Sequence, residues 1–183
     1  MSSSLERLKQ THPVDVVWRS YELRPAGSPP IPEAYMERIR QTRPQFETMA
    51  REQYGLEINS GPFGIESRTA LIASKFAERH HKGNEFHDSV FRAYWQQGLD
   101  ISEPTVLTNL AESVNLSAVK MATALHDQHL IKLVDHDIQQ AQQLNISGVP
   151  ALIFAAKYYI PGAQPYEELV RIVDYVRRRE SEK

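Results

Sequence analysis

The 183-residue sequence contains no cysteine. That absence excludes disulfides, thiolate metal sites and any cysteine nucleophile supplied by this chain. No apolar run approaches the roughly 18 residues that a membrane-spanning helix needs. The opening MSSSLERLKQTHP has no apolar core of the signal-peptide kind, so the expected address is cytoplasmic. Charge of one sign is not in excess: Lys plus Arg is 21, Asp plus Glu is 23, and the net charge is −2. A balance so near zero argues against a nucleic-acid or membrane-surface partner. The GxSxG, Walker, GxGxxG and HExxH patterns are all missing. The remainder is ordinary globular composition, 41% hydrophobic and 24% charged, in a chain long enough to bury a core without staples.

Residues 4–10 read as a short amphipathic helix with Leu5 and Leu8 on one face. VDVVWRSYEL, residues 14–23, is rich in β-branched and aromatic residues and reads as a strand. The proline-rich segment 25–32 is a loop. From there to about Asn145 the pattern is helical. A helix is expected over 33–54, kinked or broken at Pro44. Others are expected over 66–80, over 84–97, from Ser102 as N-cap with Pro104 in the first turn, from Ser117 as N-cap, and through Leu130, Val134, Ile138 and Ala141. Val119, Ala122 and Leu125 are placed inward on the helix after Ser117. Residues 146–162 then change character and read as a β-hairpin, with strands near 151–155 and 158–160. A last helix opens at Pro165 and turns Leu169, Ile172, Val173 and Val176 inward.

Few residues suggest chemistry. His126 and His129 stand three apart, with Asp127 between them and Asp135, His136 and Asp137 following. A shared helix face could bind a metal, but a solvated polar surface is the plainer reading, so no metal site is assigned. His80-His81 closes a helix and suits its dipole. Ser2–Ser4 can cap a helix. Trp18, Tyr21, Tyr94 and Trp95 are expected to be core aromatics. No cofactor is implied. The informative segment is Ser147-Gly148-Val149-Pro150 before an apolar strand. Proline belongs at a strand's first residue, and an X-Pro bond prefers trans by only about 0.5–1 kcal/mol, so cis is accessible here.

GVPALIF, the short hairpin after it, and IPGAQPYEELVRIV together resemble the C-terminal half of DsbA-family thioredoxin-like proteins. The FrnE-like branch, related to the 2-hydroxychromene-2-carboxylate isomerases, is the nearest in pattern. VDVVWRSYELRP, FHDSVFRAYWQQGLDISEPTVLTNLAESVNL and the run from Ala141 to Pro150 agree with it in order, so the resemblance spans about residues 5–178. It implies an α/β thioredoxin-like fold with a large all-helical insertion. Residues 1–31 and 146–183 would form a partial thioredoxin-like domain, and 32–145 the inserted helical domain. It also implies that Val149-Pro150 is the family's cis-proline step, which binds substrate through its backbone. The expected partner is then a peptide or a small thiol.

The departure from the family is equally specific. Members begin with a strand leading into Cys-x-x-Cys at a helix start, and this sequence has no counterpart to that first β-strand or to either cysteine. Either the true start lies upstream, or the chain is a remnant that repairs its sheet differently. The isomerase relatives place a serine near the same helix start. Ser2–Ser4 fall past that position, so no catalytic residue is assigned. Three functions fit the resemblance. One is a DsbA-family thiol-disulfide oxidoreductase-like protein, inactive as written because it lacks a thiolate. Another is a non-catalytic binding remnant of the fold. The third is a glutathione-dependent isomerase-like enzyme. An unpaired sheet edge on 14–23 or after Pro150 further implies a possible homodimer.

Overall fold

The computed structural model describes residues 2–182. The chain divides into two compact units, one of residues 1–19 with 139–183 and one of residues 20–138.

In the first unit, helix α1 (Ser2–Thr11) buries Leu5 and Leu8, the stripe that the three-residue spacing dictates. Residues 151–161 form the hairpin, β1 (Ala151–Phe154) antiparallel to β2 (Tyr158–Pro161), with Leu152 opposite Ile160 and Phe154 opposite Tyr158. The last helix, α8 (Tyr166–Ser181), starts after Pro165 and buries Leu169, Val173 and Val176. Leu5, Leu8, Leu169 and Val173 form a core on which Leu152 and Phe154 pack from one side of the hairpin. Val14, Val16 and Trp18 pack on the same core. Asp15, Val17 and Arg19 between them are exposed. Residues 13–19 thus have the alternation of a strand, but residues 13–22 form no β-ladder among the described residues, which corrects the expected strand over 14–23. Composition and period 2 make a segment extended; only a neighbour's N–H and C=O groups make it a strand.

The second unit is helical. α2 (Glu33–Tyr54) runs through Pro44 as one helix and ends at Gly55, whose φ of 64° supplies the left-handed cap. Pro44 and Arg40 are both exposed, so the carbonyl that proline leaves unbonded can meet water. α3 (Arg68–Arg79), α4 (Gly83–Trp95), α5 (Pro104–Ser113), α6 (Ala118–Ala124) and α7 (Gln128–Gln143) follow; α7 residues from 139 onward count with the first unit. Their core is built from Ala73, Phe76, Phe86, Leu107, Met121, Leu130 and Val134, among others. Three sequence expectations shift here. Glu103 rather than Ser102 precedes α5, and Ser102 bonds Asp100 instead. The cap at Ser117 is as expected and Leu125 is buried, but α6 turns Met121 and Ala124 into the core, while Val119 is 77% exposed and Ala122 is exposed too, because tertiary packing chooses the inward face. On α4, Trp95, expected in the core, is exposed, as is Phe91, although Phe86 and Val90 are buried.

Candidate functional site

The site lies at the start of the hairpin. The loop 146–148 delivers the chain to Val149 and Pro150, and the peptide bond between them is cis. Proline fits here because its missing N–H falls before the first ladder position, while its carbonyl is used: it accepts the N–H of Gly162 at 2.9 Å. Val149 is 53% exposed. A Cβ on Gly148 would meet nothing within 4 Å, so the approach to the step is open on that side.

The antiparallel register continues from this bond. With Pro150 paired to Gly162, the pairs that exchange hydrogen bonds with β2 are Leu152–Ile160 and Phe154–Tyr158, while the main-chain groups of Ala151 and Ile153 point to the opposite edge. No strand occupies that edge among the described residues. Ile153 and Tyr159 face each other across the ladder on the side away from the helices, 41% and 44% exposed. Ile153 and Tyr159 therefore form an apolar outer surface beside an open backbone edge, and the exposed Val149 precedes that edge in the chain. The sequence marked Val149 and Pro150 but not the other two. The signal was available, since strict alternation on each strand opposes them to the inward Leu152 and Phe154.

The other candidates come apart. Among the described residues no cluster of three or more His, Asp or Glu could hold a metal. His126 precedes α7 and His129 lies within it, and both are exposed. Asp127 between them is the cap of α7, accepting the His129 N–H at 2.8 Å and pairing with Arg79 at 3.3 Å. Those contacts, the backbone bond first, hold its carboxyl below the usual range. Asp137, read from sequence as part of a solvated surface, is instead buried. Of the four aromatics expected in the core, Trp18, Tyr21 and Tyr94 are half-buried and Trp95 is exposed. No helix among the described residues is long and apolar enough to cross a membrane.

Comparison with known proteins gives a consistent result. The family model described as "DSBA-like thioredoxin domain" matches residues 1–174. Protein YwbO of Bacillus subtilis (strain 168), itself described as uncharacterized, is 31% identical over 156 residues, which is 82% of this chain and 76% of that protein. Among solved structures, a probable DsbA oxidoreductase from Streptomyces coelicolor is similar with a TM-score of 0.77 at 21% identity, over 93% of this chain and 80% of that one. A putative protein disulfide isomerase from Nitrosomonas europaea follows at TM-score 0.76 and 16% identity, over 97% and 90%. A 2-hydroxychromene-2-carboxylate isomerase matches at TM-score 0.73 and 15% identity, over 95% and 85%. At those identities the structural likenesses speak for fold alone. The family match and the curated relative go further, and the chain belongs to the DSBA-like thioredoxin domain family, with the thioredoxin-like fold and its large helical portion.

Proposed function

We propose that these residues form the substrate-recognising part of a DsbA-type thiol-disulfide protein, and that they bind an extended peptide or small thiol at Val149-Pro150 without carrying out exchange themselves. The observation that carries this reading is the exposed Val149 beside a strand edge whose Ala151 and Ile153 main-chain groups are offered outward. An extended peptide laid along that edge would gain main-chain hydrogen bonds, with Val149, Ile153 and Tyr159 as apolar contacts for alternate side chains. Exchange needs a thiolate to attack a disulfide sulfur. With no cysteine among the 183 residues, any such thiolate has to come from elsewhere.

The test has two arms. The purified chain should leave insulin disulfides unreduced above the blank rate, and turnover by a clean sample would overturn the mechanism. Anisotropy titration with a labelled, unstructured peptide should show saturable binding that Val149→Asp weakens. Binding unchanged by that variant, or none at all, would remove the site.

A further inference from the structure

Of the 22 residues of α2, Ala50 alone is buried. A helix of that length normally owes its stability to an apolar face packed on something else. The face exists. At 3.6 residues per turn, Tyr35, Met36, Ile39, Phe46, Met49 and Ala50 fall on one side of the helix. Tyr35, Phe46 and Met49 are 42%, 41% and 41% exposed, and Tyr54 at the C-terminal end is more so. The surface continues onto α4, where the Trp95 ring lies 6.0 Å from that of Phe46 and the exposed Phe91 is one turn earlier.

Six of the apolar residues of α2 stand in mirror positions, although Ala50 among them is already buried by its own chain. Counted outward from the Thr42–Arg43 bond, Ile39, Met36 and Tyr35 stand at the same distances as Phe46, Met49 and Ala50. A two-fold interface has to be self-complementary, since each copy presents the same patch to the other. An antiparallel second α2 centred on that bond sets Ile39 level with the second copy's Phe46, and Met36 level with its Met49.

The area also fits. Tyr35, Phe46, Met49, Tyr54, Phe91 and Trp95 each keep about two-fifths or more of a side chain of roughly 200 Å² in water, about 500 Å² together. A standard interface takes about 800 Å² from each partner, a little over half of it apolar. One face of this patch thus holds the apolar area that a stable homodimer requires. We propose that the α2 face, extended by Phe91 and Trp95 of α4, is the two-fold interface of a homodimer of this chain.

The absence of cysteine makes the test clean. Light scattering on the full chain at high micromolar concentration should give twice the 21.0 kDa of one copy. Phe46→Glu with Met49→Glu should weaken dimerisation by roughly 30-fold or more, with an unchanged far-UV circular dichroism spectrum. Should that variant fail to fold, Thr42→Cys supplies an independent reading. Thr42 is exposed beside the proposed axis, so mild oxidation should link two copies in high yield, whereas Thr48→Cys on the far side of α2 should not. A monomer throughout the concentration range overturns the proposal. So does a dimer indifferent to the double variant and not linked through position 42, because it would be joined elsewhere, for example along the open edge of β1.

Discussion

Lys75 on α3 and Asp137 on α7 form an ion pair inside the helical unit, Nζ to Oδ2 at 2.8 Å, with only 7% and 2% of their side chains exposed. The same carboxylate oxygen accepts the backbone N–H of Ser20 at 2.9 Å, and the Lys75 ammonium also reaches Glu78 at 3.1 Å. Nearby, Arg68 bridges Glu22 and Asp135. The segment 20–22 is thereby fastened to α3 and α7 by hydrogen bonds and charge.

Breaking this pair from one side leaves a buried charge uncompensated, which typically costs about 3–5 kcal/mol. Asp137→Ala should therefore lower the urea midpoint steeply. Lys75→Met combined with Asp137→Leu should recover much of the loss, because neither charge then remains; the Ser20 N–H keeps a deficit of about 1–3 kcal/mol. A single variant within experimental error of the wild type would show that the pair contributes nothing to stability.

This pair also marks the limit of what the sequence disclosed. Periodicity located the helices and most inward residues, because an amphipathic stripe is a local property: Leu107 and Ala111, or Leu169 and Val173, can be read without knowing what they touch. Asp137 could not be read as buried, since its burial depends on Lys75, far away in the chain. The segment 14–23 failed as a strand for the same reason, its extended alternation being local and its ladder not. Within the site, Val149 and Pro150 were singled out by their pattern before an apolar strand. Ile153 and Tyr159 needed the register, which places them opposite each other.

Gly61 is held in a tight approach to the end of α4. Its N–H donates to the Tyr94 carbonyl at 2.6 Å, and Asn59 donates to the Trp95 carbonyl at 2.8 Å. A Cβ at position 61 would collide with the Leu99 carbonyl oxygen and stand 2.8 Å from the Tyr94 ring. Because the first obstacle is backbone, Gly61→Ala must displace the loop, and overpacking of this kind costs about 1–3 kcal/mol. Gly148→Ala, which meets nothing within 4 Å, is the matched control. Denaturant curves of the two variants should separate by that amount, and coincident curves would refute the close contact.

Asp127 gives a pH-dependent stability. Its folded-state carboxyl is depressed, first by the His129 N–H and then by Arg79. A depressed acid contributes stability that is fully present above its unfolded value of about 3.9 and is lost as the pH falls through the lower, folded value. Asp127→Ala should melt below the wild type at neutral pH, and the two melting temperatures should converge as the solution is acidified below about pH 4. A gap that stays constant into acid would mean that the charged cap is not the source of the difference.

The hairpin turn carries the clearest opportunity for stabilisation. Ala155 and Ala156 have φ values of 49° and 54°, both in the left-handed region. A side chain with a Cβ is crowded against its following carbonyl there, at roughly 1–2 kcal/mol per residue, whereas asparagine tolerates the region and glycine is indifferent to it. The two residues meet this requirement because the ladder on either side, from Phe154–Tyr158 back to Ala151–Pro161, fixes where the chain must reverse. Ala155→Asn with Ala156→Gly should therefore raise stability by about 1 kcal/mol or more, net of the extra freedom that glycine gives the unfolded chain. Hydrogen exchange at the Ile160 amide, inside the ladder, should slow in the double variant. Faster exchange would show that the alanines hold the turn by some packing that the substitutions remove.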